Sequence, residues 1–375
     1  MTNPNEAANS RCTMQSPYME WAKTRKRTRY NLAASGVPSL LLSDLAALTG
    51  VTIEDLELDG PDGYGYEPLQ QALAAKAGVS PHCVVAAYGT SMANHLAMAA
   101  SFSPGDEVLI EKPTYELLLT TARYLGANIR RFERNSEDGF RLDPRAVEAA
   151  VTPRTCLIVL ANLHNPSSAL TDEEALLEVG EIAKSVGARV LVDEVYLEAC
   201  YSSPWRSAFH LGNQFITTSS LTKAYGLAGL RSGWVLAEPP LAKAMWRIND
   251  LYGVNAAHPA ERLSVIALKH LSWIAARYEA TLDANREIAS AFFAARRDLR
   301  TSPQAFGTTL FPRWIHGNVD PLCKLLRDKY ETSIVPGSFF EAPDHFRMFL
   351  GAETAEFREA LDRIAAALDE LGEKG

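Results

Sequence analysis

Lys223 and Arg231 stand eight residues apart in a stretch whose chemistry is unusual for a surface. Lys223 lies in Thr217-Thr218-Ser219-Ser220-Leu221-Thr222-Lys223-Ala224-Tyr225-Gly226, with no carboxylate within four residues to form a local ion pair. Arg231 lies in Gly229-Leu230-Arg231-Ser232-Gly233, where small neighbours let a backbone and a phosphate come close. An amine able to shed its proton is a nucleophile toward a carbonyl carbon, and a guanidinium grips a phosphate dianion through paired donors. Taken alone, the two residues read as solvated surface charges.

Four further clusters supply what such a pair would need. Gly89-Thr90-Ser91-Met92-Ala93-Asn94 is a glycine turn opening into a helix. Amides at a helix start, together with the Thr90 and Ser91 hydroxyls, make an anion cradle, although such residues also cap ordinary helices. In Lys112-Pro113-Thr114-Tyr115, the Tyr115 ring can stack on a flat heterocycle or pack within a loop. In Asn162-Leu163-His164-Asn165-Pro166, the Asn165 amide can donate to a phenolate oxygen and Pro166 stiffens the turn, while His164 reads as a loop residue. In Val192-Asp193-Glu194-Val195-Tyr196, Asp193 closes an apolar run. A carboxylate there is expensive to bury unless it meets a cation or caps a helix. Tyr196 follows within reach of a phenolic oxygen, and Glu194 faces the other way if the strand continues.

The elements that must position these groups are a series of short β-rich runs. They are Val84–Tyr88, Glu107–Ile110, Ile129–Phe132, Cys156–Ala161, Arg189–Val192, Phe215–Thr218 and Gly233–Leu236. Amphipathic helices separate several of them, such as Asp172–Val186 with Thr171 as its N-cap. The pattern predicts an α/β fold with a mostly parallel, helix-covered sheet of seven strands. Ligands of such sheets collect at the carboxyl ends of the strands, which is where the polar clusters fall. One molecule answers all of them. Its pyridinium nitrogen faces Asp193, its phenolate oxygen faces Asn165 and Tyr196, and its aldehyde faces Lys223. Its phosphate faces Gly89, Thr90, Ser91, Ser220 and Arg231. That molecule is pyridoxal 5'-phosphate.

Around this core, residues 1–16 read as disordered, Gly60–Tyr66 as a loop and Pro68–Gly78 as a helix. Glu261–Arg300 reads as one long helical stretch, Thr308–Phe349 as mixed strand and loop, and Glu353–Leu371 as a terminal helix.

Asn165-Pro166, Asp193-x-x-Tyr196, Ser220-x-x-Lys223 and the arginine eight residues after the lysine resemble, in order and spacing, the class I and II aminotransferases. These are fold type I pyridoxal phosphate enzymes, and the resemblance spans roughly residues 30–365. It implies an N-terminal arm contributing to a small domain (1–40), a large cofactor-binding domain (41–280) and a small α+β C-terminal domain (281–375). It also implies a homodimer with active sites at the subunit interface, and Arg347 as the residue pairing with the substrate α-carboxylate. Bidentate guanidinium–carboxylate geometry suits that pairing. Gly36, in Ser35-Gly36-Val37-Pro38, resembles the close backbone contact to the same carboxylate. Tyr64 or Tyr66 would be the tyrosine that reaches the partner subunit's phosphate. The chain departs from the family's frequent Asn-Pro-Thr-Gly with Asn165-Pro166-Ser167-Ser168, and it shows no evident second arginine for a dicarboxylate side chain unless one of Arg25 to Arg29 serves.

The reaction expected from the resemblance is transfer of an amino group between an L-amino acid and a 2-oxo acid. The same apparatus also supports β- or γ-elimination, decarboxylation, cyclisation or oxidation, because all pass through loss of a bond at the α-carbon. The turn at Ser167-Ser168 and the Gly/Tyr loop favour a specialised metabolite enzyme. Phe306–Phe311 and the aromatics Tyr18 and Trp21 are expected to line the side-chain pocket. A transcription regulator built on this fold would need a DNA-binding domain ahead of it, and fewer than forty residues precede the expected start.

Composition agrees with a globular enzyme: 47% hydrophobic and 22% charged residues. The 37 basic and 45 acidic residues give a net charge of −8, which disfavours nucleic-acid binding. The basic run Lys23–Arg29 reads as a solvated arm. Five cysteines with no Cys-x-x-Cys spacing read as free thiols in a reducing compartment, with no metal site. With neither a signal peptide nor an apolar run of membrane-spanning length, the expected location is the cytoplasm.

Overall fold

Uninterrupted aliphatic runs such as Leu157-Ile158-Val159-Leu160 and Val190-Leu191-Val192 suit strands that are covered on both faces. In the computed structural model, which describes residues 14–61, 63–203 and 205–372, these runs form the centre of one sheet. Its strands are β1 (Val84–Tyr88), β2 (Glu107–Lys112), β3 (Asn128–Glu133), β4 (Thr155–Ala161), β5 (Arg189–Asp193), β6 (Phe215–Ser220) and β7 (Ser232–Leu236). The spatial order is β1-β7-β6-β5-β4-β2-β3. β2 to β6 pair in parallel, and β7 runs antiparallel to both of its neighbours. All seven expected runs form strands. Apolar side chains from helices close both faces, with Leu96, Ala97 and Met245 on one side and Val147, Leu176 and Val179 on the other.

Four helices bear on the site. α1 (Pro17–Thr24) starts at Ser16, whose hydroxyl accepts from the Met19 amide, with proline at its first position. α2 (Glu67–Ala77) ends at Gly78, which takes φ +67°. α3 (Gly89–Ala99) follows β1 without a loop. α4 (Glu173–Ser185) is capped by Asp172, whose Oδ1 accepts from the Ala175 amide at 2.8 Å. Thr171, the cap expected from the sequence, instead accepts from the buried Arg134 at 3.1 Å.

The expected long helix 261–300 is two helices, His258–Leu268 and Leu271–Ala294, and its end, Leu299–Arg300, pairs with Arg313–Trp314 as strand. Each half packs on a different partner: the first on α2, the second on the terminal helix Thr354–Gly372. One straight helix could not face both.

Segments from the N-terminal and C-terminal parts of the described chain pair with each other. Tyr30–Asn31 pairs in parallel with Thr332–Ser333. Phe346–Phe349 is the middle strand of a three-stranded sheet, between Thr309–Leu310 and Val335–Pro336. Cys83, Cys156, Cys200 and Cys323 carry free thiols, and no described helix is long and apolar enough to cross a membrane. Cys12 and residues 1–13 lie outside the described residues.

Candidate active site

The carboxyl ends of β1, β5 and β6 and the N-terminal segment enclose a cavity of about 330 Å³. Lys223, three residues past β6, lines it, and its Nζ donates to Ser35 Oγ at 2.8 Å. Burial, with Arg347 and Arg231 nearby, lowers the ammonium from 10.5 to about 8, and Asp193 partly opposes this. A minor neutral-amine fraction is therefore present near neutral pH, and the neutral form dominates above about 8. The segment over the lysine lies close because residue 36 is glycine: a Cβ there would sit 3.0 Å from Lys223 Cα, and the Val37 amide donates to Lys223 O at 2.9 Å.

Asp193 ends β5 and is buried without a cationic partner. Asn94 Nδ2 donates to its Oδ2 at 2.8 Å, and the Val195 amide to its Oδ1 at 3.1 Å. Thr218 Oγ1 in turn donates to Asn94 Oδ1 at 2.6 Å, so the Asn94 amide can turn only its donor side to the carboxylate. Burial raises the Asp193 carboxyl from 3.8 to about 6.

Donors for an anion converge at the other end of the cavity. Gly89 opens α3 at φ +74°, and a Cβ at that position would run into the Arg231 guanidinium. Arg231 Nη2 donates to Tyr88 O at 3.2 Å. Thr90 Oγ1 donates to Ser220 Oγ at 2.9 Å, and Ser91 lines the same wall. The Thr222 hydroxyl is buried with no partner. The start of an eleven-residue helix, four hydroxyls and a guanidinium suit a phosphate.

Above these groups, Arg347 is 1% exposed and pairs with no carboxylate among the described residues. Its Nη1 donates to Asn165 Oδ1 at 3.0 Å, its Nη2 to Tyr18 OH at 2.7 Å, and its Nε has no acceptor. With Oδ1 occupied, Asn165 keeps its Nδ2 donor for a ligand oxygen. Tyr115 lines the wall with its ring edge-on to Tyr18, centroids 5.9 Å apart. Tyr196 is buried, and its phenol is pushed up to about 12 by that burial.

The structure thus brings Gly89, Thr90, Ser91, Tyr115, Asn165, Asp193, Tyr196, Ser220, Lys223, Arg231 and Arg347 together. Gly36 lies against the Lys223 backbone, not on the cavity wall, where Ala33, Ala34 and Ser35 stand instead. Tyr64 is not brought to the cavity of its own chain: its ring lies 6.3 Å from Trp246 and its hydroxyl donates to Asp250 at 3.4 Å. Phe306 packs against the cluster of Leu163, Val195 and Leu197 and does not line the cavity, and Trp21 stacks on Tyr18 without lining it. His164 is buried and structural, bonded to Ser167 Oγ and Pro113 O.

Tyr18, expected on the side-chain pocket, lines the cavity, whereas Ser35, Asn94 and Thr222 were missed by the sequence reading. Only Asn94 carried a local signal, four residues past Thr90 and so on the same helical face. Of the basic run, Arg25 reaches the cavity, its guanidinium 4.7 Å from the Trp21 ring centroid.

These groups fit pyridoxal phosphate. The buried, cation-less Asp193 answers its pyridinium, the unpartnered Thr222 hydroxyl and the glycine at 89 leave room and donors for its phosphate, and Lys223 is the amine for its aldehyde. Fold and site together define a fold type I pyridoxal phosphate enzyme. The family model for aminotransferase class I and II matches residues 57–364, and the chain belongs to that family.

Among its relatives, capreomycidine synthase of Streptomyces vinaceus is 30% identical over 95% of this chain and 93% of its own. Aspartate aminotransferase of Rhizobium meliloti is 29% identical over 73% of this chain and 72% of its own. A PLP-dependent aminotransferase from Streptococcus suis superimposes with a TM-score of 0.88 at 25% identity, covering 95% of this chain and 99% of that one. The PLP-dependent cyclase OrfR shares the fold with a TM-score of 0.87 at 23% identity, over 95% and 97%.

Proposed function

We propose that the protein moves the amino group of an L-amino acid to a 2-oxo acid, with pyridoxal phosphate as carrier. The observation that carries this reading is Arg347: a wholly buried guanidinium without a carboxylate, on the same cavity as the low-pKa amine of Lys223. Together they match the two ends of an α-amino acid. Bound there, the cofactor supplies an electron sink for the pair released at the substrate α-carbon.

Each residue then has a task that its surroundings support. Arg347 takes the α-carboxylate through two parallel donors, giving up its bond to Tyr18. That orients the bond to be broken at the α-carbon and brings the carbon to the lysine. Lys223 Nζ, a weaker base than a free lysine, would accept the proton from the α-carbon and hold it for return within the site. With the cofactor bound, Asp193 would keep its ring nitrogen protonated, and Asn165 and Tyr196 would donate to its ring oxygen. Gly89, Thr90, Ser91, Ser220 and Arg231 would hold its phosphate, and Tyr115 would supply an aromatic face to its ring. The substrate side chain would face Tyr18, Met19 and Arg25, so an acceptor or anionic side chain is served there. The active unit is a homodimer, with Tyr64 reaching across.

A second reading, ring closure on the bound amino acid, is favoured by the near full-length match to capreomycidine synthase. One experiment separates them. The holoenzyme's visible absorbance is followed on adding single L-amino acids, acidic ones included, and then a 2-oxo acid. Transamination converts the band stoichiometrically and the oxo acid restores it. Recovery of the band unaided, with a cyclised product, sinks the transaminase reading.

A further inference from the structure

Asp193 ends β5 and Lys223 follows β6, its parallel neighbour, and the two must keep their relative position for one ligand to meet both. The ties that hold them lie behind the cavity, on a carboxylate the mechanism does not use. Glu198 is 2% exposed and lies in the turn after β5. It accepts from Ser219 Oγ at 3.3 Å and from Tyr225 OH at 2.9 Å. One donor stands just before Ser220, the other just after Lys223. A single carboxylate therefore grips both flanks of the loop that bears them. The Tyr201 hydroxyl adds a second tie between the same segments by donating to Ala224 O.

The charge on Glu198 has one counterpart, Lys76 of α2, whose Nζ donates to Oε1 at 2.9 Å. That ammonium also lies 5.2 Å from the Trp205 centroid and 5.5 Å from that of Trp234. The other titratable groups on this rear cavity of about 220 Å³ have partners of their own: Glu194 accepts from Ser207 Oγ and the Ala208 amide, His210 Nε2 is bonded to Ala77 O, and Arg206 pairs with Glu173 at 3.3 Å. A buried ion pair adds little net stability over an apolar replacement of the same size. What this carboxylate adds is two acceptors of fixed direction, one for each flank of the loop.

We propose that Glu198 is a positioning residue, clamping Ser219 and Tyr225 so that Lys223 and Ser220 stay in register with Asp193. The proposal rests on the reading of Lys223 as the amine that binds the cofactor. The double variant Lys76→Met/Glu198→Leu removes both charges together and preserves the packing volume. Its circular dichroism is expected to match the wild type. The pH midpoint of the holoenzyme's visible absorbance is expected to shift by about half a unit or more, and kcat to fall roughly 10- to 100-fold with KM within about threefold, as a sub-ångström misplacement of the amine would give. Tyr225→Phe leaves the ion pair intact and deletes one flank's donor. It is expected to shift the midpoint in the same direction by less, which keeps the test open if the double variant fails to fold. An unchanged midpoint in Tyr225→Phe, or in a folded double variant, overturns the proposal alone. A wild-type holoenzyme with no visible band overturns the amine reading and the proposal with it.

Discussion

Asp193 and Lys223 each hold a charge state that burial resists. The Asp193 carboxyl keeps its proton up to about 6 in the folded chain against 3.8 when free. The folded form binds the extra proton between those values, so this group's contribution to stability falls as pH rises from about 4 to about 6 and stays lost above. Lys223 has the opposite sense: it sheds its proton at about 8 instead of 10.5, the unfolded chain binds the extra proton between them, and stability rises with pH across that window. A pyridinium beside Asp193 relieves the first strain. The cofactor is therefore expected to raise the melting temperature of the wild type, and by less in Asp193→Asn, where pyridoxal phosphate should bind at least about tenfold more weakly, or ~1.4 kcal/mol. Equal affinities in a fluorescence titration would remove Asp193 from the cofactor's ring. The rate at which cofactor-free protein takes up pyridoxal phosphate should rise with pH and level off above about 8 as the neutral amine becomes the dominant form. Lys223→Ala should show no visible band at any pH.

At the scale of elements, the sheet was legible because aliphatic runs that end on a polar residue mark both a strand and its carboxyl end. Asp193 and Ser220 are such ends, and the clusters that follow them carry most of the site. What stayed hidden depends on contacts far along the chain. Lys223 meets Ser35 across 188 residues and Arg347 meets Tyr18 across 329, and nothing in the local pattern of either member announces the other. The long helix was misread for a related reason: periodicity reports an apolar face, not which neighbour it must cover. Two junctions are open to test. Gly89→Ala imposes an unfavourable φ and drives a methyl against Arg231. It should cost roughly 1 kcal/mol in stability and weaken pyridoxal phosphate by more than that, read as the ratio of the two effects in one melting series. Arg134 is fully buried, donates to Glu111, Phe140 O and Thr171, and so ties β2 to the turn that carries Asn165. Burial holds Glu111 up at about 7 even with this partner. Arg134→Met should lower unfolding stability by roughly 3 kcal/mol in denaturant titration, and a loss within experimental error would show the pair to be replaceable.

On the scale of the whole molecule, one flank of the cavity's Arg231 end carries exposed apolar side chains. Leu251, Tyr252 and Val254 are 78%, 56% and 64% exposed, and Tyr64 is 48% exposed. This is not a distant patch. The Tyr88 hydroxyl donates to Asn255 O at 2.6 Å, and Arg231 donates to Tyr88 O, so the apolar loop is connected to the phosphate arginine through a single residue. Tyr252 also stands edge-on to His95 of α3, centroids 5.1 Å apart, which joins it to the helix that Gly89 opens. In a lone chain Arg231 is solvent-exposed, where its attraction for a dianion is screened. A second copy seated on this loop would exclude water from Arg231 and bring a Tyr64 hydroxyl to the same place. The wild type is therefore expected to sediment as a dimer at micromolar concentration. Leu251→Asp/Val254→Asp, which puts two like charges on the contact, is expected to sediment as a monomer and to lose at least about tenfold in pyridoxal phosphate affinity. Tyr64→Phe should leave the dimer intact and lose a smaller part of that affinity. A monomeric double variant that binds the cofactor as tightly as the wild type would mean that one chain completes its own phosphate site, and the role given to Tyr64 would fall with it.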